Sequence, residues 1–256
     1  MLQEARFYRI VEHLNKNGAS SLQDLANAAG VSIGTIRRDL RSLEKSGLLK
    51  IVRGGAVAKN YDLTKQTFDI RQIDHVEEKG SLSEALGSII KEGQFVALNG
   101  GTTQLEVARY LVQHYSQLTI LTTNLRILRI LESAPNFIVI VPGGILDHEE
   151  YTICGRQCED ALLTHNVDTA LLAVNAISLH RGITDFRLQE ISVMQSLLKC
   201  AKQRFVVADH SKFDRVACMT VCGLNDIDGI ITDAHTPQEL LGRYEHAGVN
   251  VIIPNV

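Results

Sequence analysis

Four cations recur at close spacing between residues 31 and 49, VSIGTIRRDLRSLEKSGLL: Arg37, Arg38, Arg41 and Lys45. Guanidinium groups pair bidentately with guanine O6/N7 or clamp phosphate oxygens, so this stretch can read or hold a nucleic acid. Helical geometry sorts the residues. At 100° per residue, Ile36, Leu40 and Leu43 fall within about 60° of one another. Gly34, Arg37, Arg38, Arg41 and Lys45 lie opposite. Ser32, Gly34 and Thr35 in the first turn are small and permit close approach.

A second chemistry is anion binding. NGGTT (99–103), TTN (122–124), PGG (142–144) and ADHSKF (208–213) each follow an apolar run. Gly100 and Gly101 let backbone approach a ligand, and Thr102 and Thr103 add hydroxyls at a helix start, where free amides bind anions. With Asn99, Thr123, Asn124, Gly143, Gly144, Asp209, Ser211 and Lys212 they would make a polar pocket for a phosphorylated small molecule. No cofactor and no metal is expected. DHEEY (147–151) reads as a solvated loop, because consecutive ligands on one short loop are uncommon. Cys154/Cys158 and Cys218/Cys222 lack the usual zinc spacing and a histidine pair, so they read as small core residues.

These residues need elements to hold them. Phe7, Ile10, Val11 and Leu14 form one helical face, which Asn17-Gly18 ends. Ser21 and Ser32 are N-caps of two further helices, and Gly30 and Gly47 are stops. LLKIVRGGAVAK then flanks Gly54-Gly55, a two-residue hairpin signal. A helix-turn-helix followed by a basic hairpin is a winged helix, with Lys50 and Arg53 reaching the DNA backbone or minor groove. Charge agrees: residues 1–60 carry a net +5 and the remainder −8. A basic head on an acidic body points one end at a polyanion. The alternative, a solvated charged helix beside an unrelated hairpin, explains neither the caps nor the angular sorting.

Residues 59–76 are polar and aperiodic and read as a linker. Apolar strands and helices then alternate: a helix near 78–91, strand QFVALN, helix TTQLEVARYLVQH, strand LTILTT, helix LRILRILES and strand FIVIVPGG. A helix near 156–164, strand TALLAVN, helix QEISVMQSLLKCAKQ, strands RFVVADH and GIITD, helix PQELLGRYEHAG and strand VNVIIP follow. This implies an α/β domain with a Rossmann-like, mainly parallel sheet at 77–256, preceded by a small winged helix-turn-helix domain at 1–58. Ligands in such sheets sit at strand carboxyl ends, near a topological switch. No apolar run approaches the roughly 20 residues that cross a bilayer. The first residues lack a continuous apolar segment, so a cytoplasmic protein without membrane contact is expected.

VSIGTIRRDLRSLEKSGLL…RGGAV resembles the amino-terminal signature of the DeoR family of bacterial transcriptional regulators, with Arg53 where the family usually has His. GTT, TN, GG, GIT (182–184), ADHSKF and IITD recur in order as in the family's effector domain, which resembles the sugar-phosphate isomerase and CoA-transferase fold. The resemblance implies a repressor of carbohydrate-metabolism genes that senses a sugar phosphate. Gly101, Thr102 and Thr103 would cradle phosphate, Thr123 and Asn124 would line the pocket, and Lys212 would contact the anion or a sugar oxygen. It also implies self-association into a dimer or tetramer on operator DNA. Asn99 stands where the family usually has Asp, Ala173 and Ala176 where it often has Gly, and Met194 where it usually has Lys. Two other readings stay open. One is an isomerase using Asp209 or Glu190 as base. The other is a body that only oligomerises around a vestigial pocket.

Overall fold

The computed structural model describes residues 3–17, 19–52, 54–58, 68, 71 and 75–254, in two units that divide between Asp74 and His75. The first unit contains α1 (Gln3–Asn17), β1 (Ala19–Ser21), α2 (Leu22–Ala29), α3 (Ile33–Lys45), β2 (Leu49–Val52) and β3 (Gly55–Ala58). Its core joins Ile10 and Leu14 of α1, Leu25, Ala26 and Ala29 of α2, and Ile36, Leu40 and Leu43 of α3 with Leu49 and Ala56 of the hairpin. These are the apolar stripes that the 3.6-residue period predicts. Ser21 accepts from the Asp24 amide and Ser32 from the Thr35 amide, so both expected caps form. Gly30 closes α2 in the left-handed conformation, at φ 65°.

The hairpin differs from expectation in two ways. Val52 pairs with Gly55, so Gly55 lies in the paired strand rather than in a Gly54-Gly55 turn. Gly54 supplies the positive φ of 89°. Gly55 belongs to a strand because a third strand, β1, pairs with β3, and a Cβ at Gly55 would collide with the Ser20 carbonyl. β1 is three residues of Ala-Ser-Ser, too short and polar to carry a strand pattern.

The second unit is an α/β domain. Its strands β4 (Phe95–Leu98), β5 (Thr119–Thr122), β6 (Ile138–Ile140), β9 (Val167–Ala173), β12 (Ala201–Val207), β14 (Gly229–Ile231) and β15 (Val251–Ile252) form one sheet. The order is β15-β14-β12-β9-β4-β5-β6, and every neighbouring pair is parallel. The helices are α4 (Val76–Ser83), α5 (Thr102–His114), α6 (Leu125–Leu131), α7 (Arg156–Leu162), α8 (Ile191–Cys200) and α9 (Gln238–His246). Residues 170–174 are buried without interruption, as in a parallel strand covered on both faces. The chain runs outward from β4 to β6, then returns to the other side of β4 with β9. The topological switch is therefore between β4 and β9.

The expected helix 78–91 is instead α4 followed by a 3-10 stretch, Glu84–Ser88. Most of the expected linker lies outside the described residues, and its last members, His75 and Val76, belong to the second unit. Two antiparallel additions were not foreseen. β7 (Ile145–Asp147) pairs with β8 (Thr152–Cys154), and β10 (Ala176–Ser178), β11 (Gly182–Asp185) and β13 (Met219–Cys222) form a second sheet. Their three- and four-residue strands fall below the length at which alternation is visible.

Candidate functional site

Helix α3 presents its cations as the angular sorting expects. Arg37, Arg38, Arg41 and Lys45 are exposed, as are Gly34, Ser32 and, on β2, Lys50. Thr35 is half-buried, and its hydroxyl lies 3.0 Å from that of Ser32. Arg53 lies outside the described residues. A shallow hollow of about 200 Å³ opens between the helix and the hairpin, with Arg37 and Arg41 among its lining residues.

Sequence reasoning missed what happens to the two carboxylates of this helix. Asp39 is buried, and Arg6 of α1 grips it bidentately at 2.6 and 3.0 Å, which raises the Arg6 pKa. Glu44 accepts the Ile51 amide at 2.7 Å. Both negative charges are thus engaged within the unit, so the outward face is cationic. The spacing alone could not show it, because Arg6 and Asp39 are thirty-three residues apart.

The second set of residues sits at the carboxyl ends of four strands of one sheet: NGGTT after β4, Thr123-Asn124 after β5, Gly143-Gly144 after β6, and Asp209 to Lys212 after β12, which β9 separates from β4. At the switch point the groups are tightly occupied. Asn99 is fully buried, donates to the Ala173 carbonyl at 2.9 Å, and accepts from the Ala173 amide and Gln104. It ties β4 to β9. An Asp could not make the donated bond, which gives the departure a physical reason. Gly101 has φ 133°, where L side chains are strained, and a Cβ there would press on the Ala173 methyl and Arg187. A Cβ on Gly100 would strike the Thr152 hydroxyl and the Glu190 carboxylate. Thr102 and Thr103 are buried in the first turn of α5.

Asn124 caps α6, accepting from the amides of Arg126 and Ile127, while its Nδ2 donates to the Glu150 carbonyl and the Thr152 hydroxyl. Thr123 is fully buried; its Oγ1 has no hydrogen-bond partner among the described residues. Gly143 and Gly144 are exposed on their backbone, and Gly144 is bare because β8 and α7 pack close: a Cβ would meet the Cys154 carbonyl and Cys158. Met194 and Ala176 belong to the apolar interior. The 147–151 loop is only partly solvated. His148 and Glu149 are exposed, but Glu150 is buried.

The largest group missed by sequence reasoning is Arg187. Its Nε and Nη2 donate to Asp185, Nη2 also to the Ala173 carbonyl, and Nη1 to the Gly100 carbonyl and Glu190. Those bonds use all five guanidinium N–H groups. Burial opposes the charges, yet the facing ions win: Asp185 is held below the usual carboxylate range and the Arg187 pKa is raised. The signal lies in GITDFRLQE, where Arg187 stands between Asp185 and Glu190 at spacings that let one guanidinium reach both.

At the β12 end, Asp209 caps a 3-10 turn, accepting from the Ser211 amide, with Lys212 Nζ 3.9 Å from its other oxygen. Burial would raise its pKa, but Lys212, the Ser211 bond, Lys79 and His75 bring it to about 2. Lys79, on α4, is itself buried.

Among the described residues no three His, Cys, Asp or Glu side chains converge to hold a metal. All five cysteines are free. Cys154 and Cys158 are buried, and burial pushes the Cys158 thiol to about 12, an inert state. Cys218 is exposed, against the expectation that the cysteines are core residues. No described helix is long and apolar enough to cross a membrane.

Residues 6–61 match the DeoR-like helix-turn-helix domain, and residues 74–234 the DeoR C terminal sensor domain. The chain is 30% identical over 239 residues to the HTH-type transcriptional repressor CsqR of Escherichia coli (strain K12), covering 93% of this chain and 91% of that one. It is 29% identical over 245 residues to the HTH-type transcriptional regulator GolR of Listeria innocua serovar 6a, covering 96% of each. It is also 28% identical over 241 residues to the glycerol-3-phosphate regulon repressor of Escherichia coli (strain K12), covering 94% of this chain and 95% of that one. The winged helix, the parallel sheet with its loops and these matches along nearly the whole length agree: the chain belongs to the DeoR family of transcriptional regulators.

Proposed function

We propose that this chain is a repressor of carbohydrate-metabolism genes whose operator affinity falls when the second unit binds a phosphorylated sugar or related metabolite. The observation that carries the DNA half is the one-sided charge of α3: four exposed cations, with Asp39 buried against Arg6 and the exposed Glu44 held on the Ile51 amide. Arg37, Arg38, Arg41 and Lys45 face the major groove with Ser32, Gly34 and Thr35, and Lys50 and Arg53 contact the backbone. The sensing half is supported by the cations Lys79 and Lys212 at the sheet's carboxyl ends and by Gly101, whose conformation leaves the loop before α5 bare. A relative named for the glycerol-3-phosphate regulon supports the ligand class. The second unit also self-associates, pairing the heads on repeated or inverted half-sites.

The test is a pair of substitutions. Duplexes selected by the wild-type protein from a random pool serve as operator. Arg37→Ala with Arg38→Ala abolishes specific binding and leaves ligand binding intact. Retained operator affinity in that double variant would falsify the reading-helix assignment.

A vestigial pocket is the second reading, favoured by the Ala173 methyl against Gly101 and by the internal bonds of Asn99 and Asn124. A thermal shift with phosphorylated metabolites separates the two, because a ligand that binds only the folded state raises the midpoint by mass action. No shift with any compound leaves oligomerisation as the second unit's work. Turnover of a sugar phosphate would instead favour an isomerase.

A further inference from the structure

Strand β6 ends one side of the large sheet, and its side chains are poorly covered. Ile138 is 59% exposed, and Val139, Ile140 and Val141 are half-buried, whereas the last three residues of β4 and of β5 are all buried. Among the described residues no strand pairs with its outer side. Its peptide groups are open in a definite pattern. In a parallel ladder both peptide groups of one residue turn to the same neighbour, and those of the next residue turn away. The Ile138 amide donates to the Leu118 carbonyl at 2.9 Å, so Ile138 and Ile140 face β5 and Val139 offers its N–H and C=O to the open side. An unpaired edge of β-branched residues is a template for another strand, and natural edges are commonly blunted by charge. This one is not. Residues 133–146, SAPNFIVIVPGGIL, hold no Asp, Glu, Lys, Arg or His, the longest such run in the chain. Pro135 and Pro142 bound the open segment. Ile145, in β7 just beyond, is 70% exposed.

We propose that two copies of this chain pair through β6, antiparallel about a two-fold axis beside Val139, joining their seven-stranded sheets into one. The inference rests on the self-association in the proposed function and assigns it a face. A two-fold interface must complement itself. β6 does so in backbone and in side chains. On the axis, Val139 and the partner's Val139 exchange both bonds, as directly opposed residues of a hydrogen-bonded pair do. Val141 then stands opposite the partner's Phe137. Ile138 stands opposite the partner's Ile140 in a non-hydrogen-bonded pair, where side chains come closest, about 4.5–5.5 Å between Cβ atoms. The exposed Ile138 is thereby covered on each side of the axis. Charge selects the occupant. Residues 75–256 carry a net −7, so two copies repel unless they meet on an uncharged face, and β6 lies within the longest uncharged run. Head-to-tail pairing with β15, the opposite edge, offers little, because that strand is two residues long and Pro254 follows it closely.

The experiment is sedimentation equilibrium on the full chain across about 1–100 μM, the range in which a small interface dissociates. Two variants address the edge. Ile138→Lys sets like charges on both sides of the axis. Val139→Pro removes the amide that crosses it and spares the ladder to β5, to which Val139 does not donate. Both positions lie on the open edge, and circular dichroism checks that each variant is folded. The wild-type mass is expected to be that of a dimer or a multiple of it. Each variant halves that mass, or raises the dissociation constant about tenfold or more. Cross-linking tests the register in a Cys218→Ser background, which removes the exposed thiol. Val139→Cys forms an intermolecular disulfide on mild oxidation, since opposed residues of such a pair lie about 5.5 Å apart at Cα, within disulfide reach. Ile138→Cys, which faces position 140 rather than itself, cross-links far less. An unchanged mass in both variants with no cross-link at 139 overturns the proposal and leaves self-association through another face. A wild-type monomer at every concentration overturns both. A mass that grows without closing points to head-to-tail pairing and overturns the two-fold.

Discussion

Arg187 shows how one buried charge can tie several loops together. With five donors spent on Asp185, Glu190 and two carbonyls, its guanidinium is a knot that fixes the loop after β4 to the loop after β11. Breaking a buried pair on one side leaves the partner charge uncompensated, at a cost of about 3–5 kcal/mol. Arg187→Met is therefore expected to destabilise the second unit by that amount in urea unfolding, and Arg187→Lys to recover only part of it, since an ammonium cannot form the fork. A loss below about 1 kcal/mol, the scale of an exposed pair, would show that the knot is not bearing on stability. Asp209 gives a pH-dependent counterpart. Its folded pKa is depressed to about 2, so its contribution is present above the unfolded carboxylate value and lost as pH falls from about 4 towards 2. A shift of this size corresponds to roughly 2 kcal/mol. Asp209→Asn should flatten that part of the stability–pH curve; an unchanged acid limb would refute the assignment.

The elements divide by how locally they are encoded. Helices α1 to α3 were legible because caps, stops and a 3.6-residue stripe all lie within the segment, and the parallel strands were legible because burial on both faces makes them continuous apolar runs. β1 and the two small antiparallel sheets were not, since their strands are three or four residues long and are held by pairing with distant partners. The site followed the same rule. Loops at strand ends could be placed in order, but the partners of Asn99 and Asp39, and the two carbonyls that Arg187 bonds, come from elsewhere in the chain. Helix α3, the proposed reading helix, depends on one such partner. Arg6→Ala strips the buried Asp39 of its counterion, and about 2–3 kcal/mol of stability in the first unit should go with it, less than for a fully buried pair because Arg6 keeps some solvent. Faster amide exchange in α1 and α3, with the second unit unaffected, is the expected signature. The hairpin is tested by salt. If Lys50 and Arg53 each neutralise a phosphate, replacing either with Ala lowers the slope of log affinity against log salt by about 1; an unaltered slope removes the wing from the interface.

At the scale of the whole molecule, two sites on separate units matter only if each changes the other. Differential binding of ligand to two arrangements of the heads shifts their populations, and the shift is bounded by that difference in affinity. Coupling between sites commonly amounts to about 1–3 kcal/mol, or roughly 5–150-fold. A repressor released by its ligand thus predicts more than a loss of operator binding. If saturating glycerol 3-phosphate or another phosphate ester weakens the operator complex by some factor, saturating operator must weaken that ester by the same factor, because both describe one thermodynamic cycle. Titrating the ester by calorimetry with and without operator duplex, and the operator by fluorescence anisotropy with and without the ester, gives the two factors independently. Equal factors above about five establish coupling within that range. An ester that binds equally well to free and operator-bound protein, however tightly, cannot be the signal that releases the DNA. The negative second unit gives the cycle a direction in salt: a net −7 over residues 75–256 disfavours DNA generally, so the proposed operator contact falls to the basic first unit. Added salt should then weaken the operator arm steeply while leaving the ratio of the two coupling factors at one.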